Sequence, residues 1–176
     1  MALSALSDEL MRAEGMMMQD QNEEALELLL RLAEDAEEYV DCNCQTTDEV
    51  QYFAFPTLFD RLAYRRVEND PRKLEDVHEP FDRLYGDLAM AYVRTGDYEN
   101  AMNALKTAIR WNPMNCGFRL DLADLFKIAG DIREHIALTF GVFERASEAR
   151  HLTRAFLNFA AWFEAQGRLE QAAARS

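Results

Sequence analysis

Gly96-Asp97 recurs as Gly130-Asp131, 34 residues later, and each pair stands between two apolar helical stretches. A fixed period of this kind marks one supersecondary unit that is repeated along the chain and stacked on its own copies, so it constrains the fold more tightly than composition does. Gly167-Arg168 continues the series after 37 residues, with three residues extra.

Around the first pair the residues specify an antiparallel pair of helices. Leu84, Leu88, Ala91 and Tyr92 fall on one helical face, and Ala101, Ala104, Leu105, Ala108 and Ile109 fall on another. Gly96 suits the left-handed residue that ends the first helix, and the Asp97 carboxylate suits the N-cap of the second. Asn112-Pro113 stops that second helix, because proline disfavours helical geometry in the residue before it. Pro80 suits the start of the first.

This segment closely resembles a tetratricopeptide repeat. Tyr85 stands where the motif has Trp, Leu88-Ala89 where it has Leu-Gly, and Tyr92 where it has Tyr, with Gly96 at the turn. Ala101, Leu105, Ala108 and Pro113 fall at the later positions, Leu105 replacing an aromatic residue. The resemblance covers residues 82–115 most fully and continues, less regularly, over 116–149 and 153–176. In the second unit Leu122-Ala123, Phe126 and Gly130 keep the pattern, whereas His135, Thr139, Val142 and Ser147 replace the usual alanine, aromatic, alanine and proline. A histidine in a small-residue position is expected to spread that helix pair. The third unit resumes with Phe156, Phe159-Ala160, Phe163, Gly167 and Ala172, and its second helix is expected to begin after Gly167 and to be cut short.

The first 80 residues are expected to form a separate acidic helical region. Residues 6–39 read as a degenerate repeat, with Ala13, Met16 and Ala25 at motif positions. Its second helix is amphipathic from Glu23 to Glu38, burying Ala25, Leu28, Leu29, Leu32, Ala36 and Tyr39. Residues 40–80 match no repeat, and within them 46–68 is expected to be an aromatic helical insertion. Thr46 and Glu49 have capping-box spacing, which predicts a helix through QYFAFPTLFDRLAYRRVEN with a kink or break at Pro56. That segment holds Tyr52, Phe53, Phe55, Phe59 and Tyr64, an aromatic cluster read as core in preference to binding surface. NDPRKLEDVHEP reads as a connecting loop with a short helical piece. The expected fold class is thus all-α, an α-α superhelix of the tetratricopeptide kind with an atypical helical segment in the N-terminal half.

Charge narrows the partners. The net charge is −13, and residues 1–80 hold 7 Lys and Arg against 20 Asp and Glu, while residues 81–176 hold 12 against 12. Such a surface repels phosphate backbones and anionic headgroups, so neither nucleic acid nor membrane is expected as a partner. A protein or peptide that is basic or apolar rather than acidic fits better. No apolar run approaches the roughly 18 residues of a membrane span, and MALSALSDELMRAEG has no secretory leader pattern. With three cysteines, two of them in Cys42-Asn43-Cys44, reduced thiols and a cytoplasmic location are expected.

Catalytic and metal chemistry finds no footing in this pattern. His78, His135 and His151 are scattered, and no glycine-rich phosphate loop, Gly-x-Ser-x-Gly elbow or His-Glu-x-x-His run occurs. No cofactor, metal or catalytic residue is expected, and a histidine-dependent helical enzyme is the weakest of the alternatives. Cys116 reads as packing, and Glu34, Asp35, Glu37 and Glu38 read as a solvated helix face. The resemblance implies instead a protein-binding adaptor whose concave groove is lined by the first helix of each unit. Its candidate lining is Arg83, Asp87, Met90 and Arg94, then Asp121, Asp124 and Lys127, then Arg154, Asn158 and Glu164. The family's clamp for acidic chaperone tails places Lys, Asn and Arg where this chain has Gly86, Met90 and Asp121, so such tails are disfavoured. A self-assembly module is the alternative, because Leu169 and Ala172 have no capping helix after them.

Overall fold

A computed structural model describes residues 5–173, which fall into two compact units, one running to Met114 and the other beginning at Asn115. The fold is all-α and tetratricopeptide-like, with one small sheet.

The first unit starts with α1 (Ala5–Met18) and α2 (Asn22–Asn43). They bury the small and apolar residues spaced three and four apart: Leu10, Ala13 and Met17 from α1, and Ala25, Leu28, Leu29, Ala33 and Ala36 from α2. Leu32 is only half-buried and Tyr39 stays largely exposed, so the apolar stripe of α2 is narrower than its sequence suggests. Next come β1 (Val50–Phe53), α3 (Leu58–Glu68) and β2 (Lys73–Asp76), then the helix pair α4 (Phe81–Thr95) and α5 (Tyr98–Trp111).

The α4–α5 pair follows the residues closely. Gly96 has φ +84°, and its N–H meets the Tyr92 and Val93 carbonyls, ending α4. Asp97 accepts the Asn100 N–H at 3.1 Å and opens α5. Asn112 ends it, and its buried side chain donates to Asp82 Oδ2 at 2.9 Å, joining the last turn of α5 to the first turn of α4. Tyr85, Leu88, Ala89, Ala101, Leu105 and Ala108 are all buried, as the motif requires.

Residues 46–80 depart from expectation in both halves. The Thr46–Glu49 capping box does not form, and no helix begins there: Thr47 Oγ1 accepts the N–H groups of Glu49 and Val50 in a turn. VQYF then extends as β1 with alternate residues buried, an alternation suited to a strand of β-branched and aromatic residues ahead of a proline. The helix starts only at Leu58, where Thr57 Oγ1 accepts the Asp60 N–H at 3.2 Å. The expected loop contains β2, which pairs parallel to β1 in the register Val50↔Lys73 to Phe53↔Asp76, with α3 as the crossover. Phe53, Phe55, Tyr64, Leu74 and Met114 form the core beneath this β–α–β unit, and Ala54 N–H bonds the Trp111 carbonyl at 2.9 Å. Most of the aromatic cluster is therefore core, while Phe59 is exposed.

The second unit comprises α6 (Cys116–Ile128), α7 (Ile132–Phe140), the short α8 (Val142–Arg145) and α9 (Ala149–Ala173). Gly130 at φ +84° and the Asp131 cap repeat the earlier turn. His135 is buried, and its Nδ1–H donates to the Ala123 carbonyl at 2.8 Å, so the large residue is held by a bond across the pair. The expected turn at Gly167 is absent: α9 runs through it without a break. The reason is local. Arg168 follows Gly167 where Asp97 and Asp131 follow the earlier glycines, so no side-chain acceptor is present to open a new helix, and a mid-helix glycine costs only about 1 kcal/mol. Leu169 and Ala172, on which self-assembly was argued, have side chains outside the described residues.

One polar cluster fixes the inserted segment. Arg72 makes a forked bond to Asp70 (Nε to Oδ1 2.9 Å, Nη2 to Oδ2 2.6 Å), reaches Gln51 Oε1 at 3.0 Å, and shares Asp70 with the Tyr64 hydroxyl at 2.8 Å. The Arg72 bonds hold the Asp70 carboxyl well below the usual range, while burial and the Asp70 bond push the Tyr64 phenol up to about 12. Arg72→Ala leaves Asp70 and Gln51 short of partners, and is expected to lower stability by roughly 1–3 kcal/mol, read as a lower denaturation midpoint by near-ultraviolet circular dichroism. Because the native Asp70 pKa is depressed, its contribution is intact above about pH 4 and is lost as pH falls below that, and the variant should lack this acid limb.

Candidate functional site

The residues expected to line a groove sit on α4, α6 and α9, and each unit uses several of its own for internal ion pairs. On α4, Arg83 reaches Glu14 Oε1 of α1 from Nε and Nη2, both at 2.7 Å. Arg94, in the last turn of the helix, donates to the Met17 carbonyl at 3.0 Å and lies 3.8 Å from Asp20. Two cations read as ligand-facing therefore clasp the middle and end of α1. Met90, between them, is 47% exposed and projects from the same helix.

Asp87 is the electrostatic centre of this clasp. It is mostly buried, its Oδ2 has no hydrogen-bond partner, and the nearest cation, Arg83 Nε, stands at 4.0 Å. Burial and the neighbouring Glu14 carboxylate raise its pKa from 3.8 to about 7, with Arg83 opposing and Asp82 adding to the rise.

In the second unit the same helix positions behave similarly. Arg154 of α9 bridges Asp121 Oδ1 at 2.7 Å and Asp124 Oδ2 at 2.6 Å, both on α6. Asn158 Nδ2 lies 3.4 Å from Thr139 Oγ1, Glu164 pairs with Arg168 one turn on, and Lys127 is exposed. The structure thus brings Asp121, Asp124 and Arg154 together, and leaves Met90 and Lys127 as exposed side chains.

Two surfaces escaped the sequence reading. Along α9, Phe156 and Phe163 are 62% and 63% exposed, and Phe140 at the end of α7 is 61% exposed. They border a run of touching rings: Phe143 lies 5.0 Å from Phe156 and 5.6 Å from Phe159, and Trp162 lies 4.7 Å from Phe163. Phe156, Phe159 and Phe163 fall at repeat positions in the sequence, but α9 continues through Gly167 with no second helix to pair with it. The other surface is a cavity of about 310 Å³ in the first unit, between α1, α2 and the start of α4. Its walls come from Leu6, Leu32, Ala36, Tyr39 and Phe81. No local motif announces it, because its residues lie up to 76 positions apart.

His135 is bonded to a backbone carbonyl, His78 is exposed, and His151 sits 4.0 Å from Glu148 with its pKa lowered by burial. Cys116 is buried and its thiol pKa is raised by that burial, the opposite of an activated nucleophile. Among the described residues no group of three His, Cys, Asp or Glu side chains is placed to hold a metal ion.

The α1–α4 clasp should respond to pH. A carboxyl whose native pKa is raised stabilises the fold fully below its ordinary value near 4 and loses that contribution as pH rises towards about 7. Asp87→Asn is expected to flatten this decline and to raise stability at pH 7.5 by roughly 1–3 kcal/mol, checked by thermal melts between pH 4 and 8. An unchanged slope in the variant would show that Asp87 is not its source.

Comparison with known proteins agrees with the helix-pair geometry. Residues 82–115 match the family model of the tetratricopeptide repeat. No curated protein matches the chain. The matched span holds α4, the Gly96 turn and α5, with Tyr85, Leu88, Ala89, Ala101, Leu105 and Ala108 buried, and this helix pair is accordingly a tetratricopeptide repeat.

Proposed function

We propose that this chain is a cytoplasmic adaptor that holds a protein or peptide segment on the exposed faces of its first-position helices, and that it is not an enzyme. The repeat at residues 82–115 carries the reading, because such repeats generally serve as scaffolds for protein–protein interaction. Met90 offers an adaptable apolar contact and Lys127 a cation, and both stand exposed on helices that correspond in the repeat pattern. Within the second unit, Asp121, Asp124, Arg154, Asn158 and Glu164 would supply polar contacts. Arg83, Asp87 and Arg94 would act mainly by fixing α1.

Charge points to a basic or apolar partner. Residues 1–114 hold 11 Lys and Arg against 24 Asp and Glu, whereas residues 115–176 hold 8 against 8, so the whole net charge of −13 lies in the first unit. Long-range attraction would steer a cationic segment towards that unit and disfavour nucleic acid and anionic membrane. Among the described residues no helix is long and apolar enough to cross a membrane. Cys42, Cys44 and Cys116 are free thiols, in keeping with a reducing compartment.

A second reading is favoured by the aromatic face of α9, which would pair with the same face of another copy. That unit has no net charge to oppose such pairing.

Two experiments separate the readings. Met90→Glu and Lys127→Glu should each weaken binding of a partner captured from the native host by about tenfold or more, with helicity unchanged by circular dichroism. Binding by both variants as tight as the parent's would refute the adaptor reading. Size-exclusion chromatography with light scattering should show a concentration-dependent dimer that Phe156→Asp or Phe163→Asp converts to monomer. A parent chain that is monomeric at every concentration removes self-assembly.

A further inference from the structure

The cavity between α1, α2 and the start of α4 combines features that recognise one kind of side chain. At about 310 Å³ it lies at the small end of ligand sites, a size for a single side chain or small organic ion. Leu6, Leu32 and Ala36 supply an apolar shaft suited to a methylene stem. Tyr39, 45% exposed, presents aromatic surface to an occupant and is held edge to face against the buried Phe81 ring, with ring centres 6.1 Å apart.

The polar lining is of one sign. Glu9, Asp35 and Glu79 are the charged groups among the described lining residues, and no cation lies among them. Glu9 has a partner outside the cavity, Arg12 at 3.5 Å on the exposed side of α1. Glu79 differs from the other two, since its Oε2 is shielded from solvent and has no hydrogen-bond partner. The Glu79 carboxylate is thus less solvated than a surface carboxylate, and a less solvated charge attracts a nearby cation more strongly.

We infer that this cavity is a binding site for an arginine side chain of a basic peptide, its guanidinium meeting the Glu79 and Asp35 carboxylates beside the Tyr39 ring. A guanidinium provides several donors in a plane, stacks on aromatic faces and sheds water more readily than an ammonium ion. Its stem matches the apolar shaft. The surrounding unit carries the whole net charge of −13 and attracts such a segment before contact. This inference does not rest on Met90 or Lys127.

The test uses the full chain, labelled with ¹⁵N, and three blocked pentapeptides, Ac-Ala-Ala-X-Ala-Ala-NH₂, in which X is arginine, citrulline or norleucine. Citrulline keeps the shape and removes the charge, and norleucine keeps only an apolar stem. The arginine peptide is expected to give saturable shifts at the amides of Leu32, Tyr39 and Phe81 and at the Trp111 indole, whose ring lies 5.2 Å from that of Phe81. Citrulline and norleucine peptides should bind at least tenfold more weakly, and Glu79→Gln should weaken the arginine peptide by a similar factor while leaving the rest of the spectrum in place. Met90→Glu should leave this binding unchanged, so its failure and that of the adaptor surface are distinguishable. Equal binding of all three peptides, no loss in Glu79→Gln, or no saturable shift at these positions would each overturn the inference.

Discussion

The first unit depends on the burial of α4 by more than one neighbour. Phe81, Leu84, Tyr85, Leu88, Ala89 and Ala91 are all inaccessible, which is more than the single stripe a helix presents to one partner. α5 covers it through the Gly96 turn, and α1 and α2 cover it from earlier in the chain. A repeat helix pair cannot bury its own apolar surface, so these helices become stable by sharing it. The positions of Arg83, Arg94 and Asp87 follow from that packing, and so does the cavity framed by α1, α2 and Phe81.

What could be read beforehand was whatever rests on local chemistry at short range. Gly96, Asp97 and Asn112 each act through the backbone within a few residues, and each does what its type and place imply. The β–α–β segment failed for the complementary reason. A parallel strand pair is fixed by contacts between Val50 and Lys73 and by a core that includes Met114, none of which has a local signature, and the Thr46–Glu49 spacing offered a competing signal. Gly167 shows that glycine alone does not make a turn: at Gly96 and Gly130 an aspartate completes the motif, and here an arginine does not. For the candidate lining, helix position was legible but ion pairing was not. That Arg154 would reach Asp121 and Asp124 requires knowing how α9 lies on α6.

Acidic groups in the first unit answer to different surroundings. Asp70 has a forked arginine and stays ionised far into acid, whereas Asp87 has a buried setting and a carboxylate neighbour and takes up a proton readily. Asp82 is also raised, by burial, although the Asn112 amide opposes the shift. One of these carboxyls secures the inserted segment and two lie on α4, so the strands and the helix stack have separate electrostatic controls.

The insertion between α2 and α4 has a consequence for chain entropy. Asn112 and Asp82 are joined across 30 residues, whereas Arg94 and the Met17 carbonyl are joined across 77, with the β–α–β segment inside the larger loop. In polymer terms the closure penalty grows only as the logarithm of length, so the difference between these loops is roughly 0.8 kcal/mol. Interrupting a helical array with some forty residues is therefore a small thermodynamic disturbance, provided the interruption brings a core of its own, as Phe53, Phe55, Tyr64 and Leu74 do here.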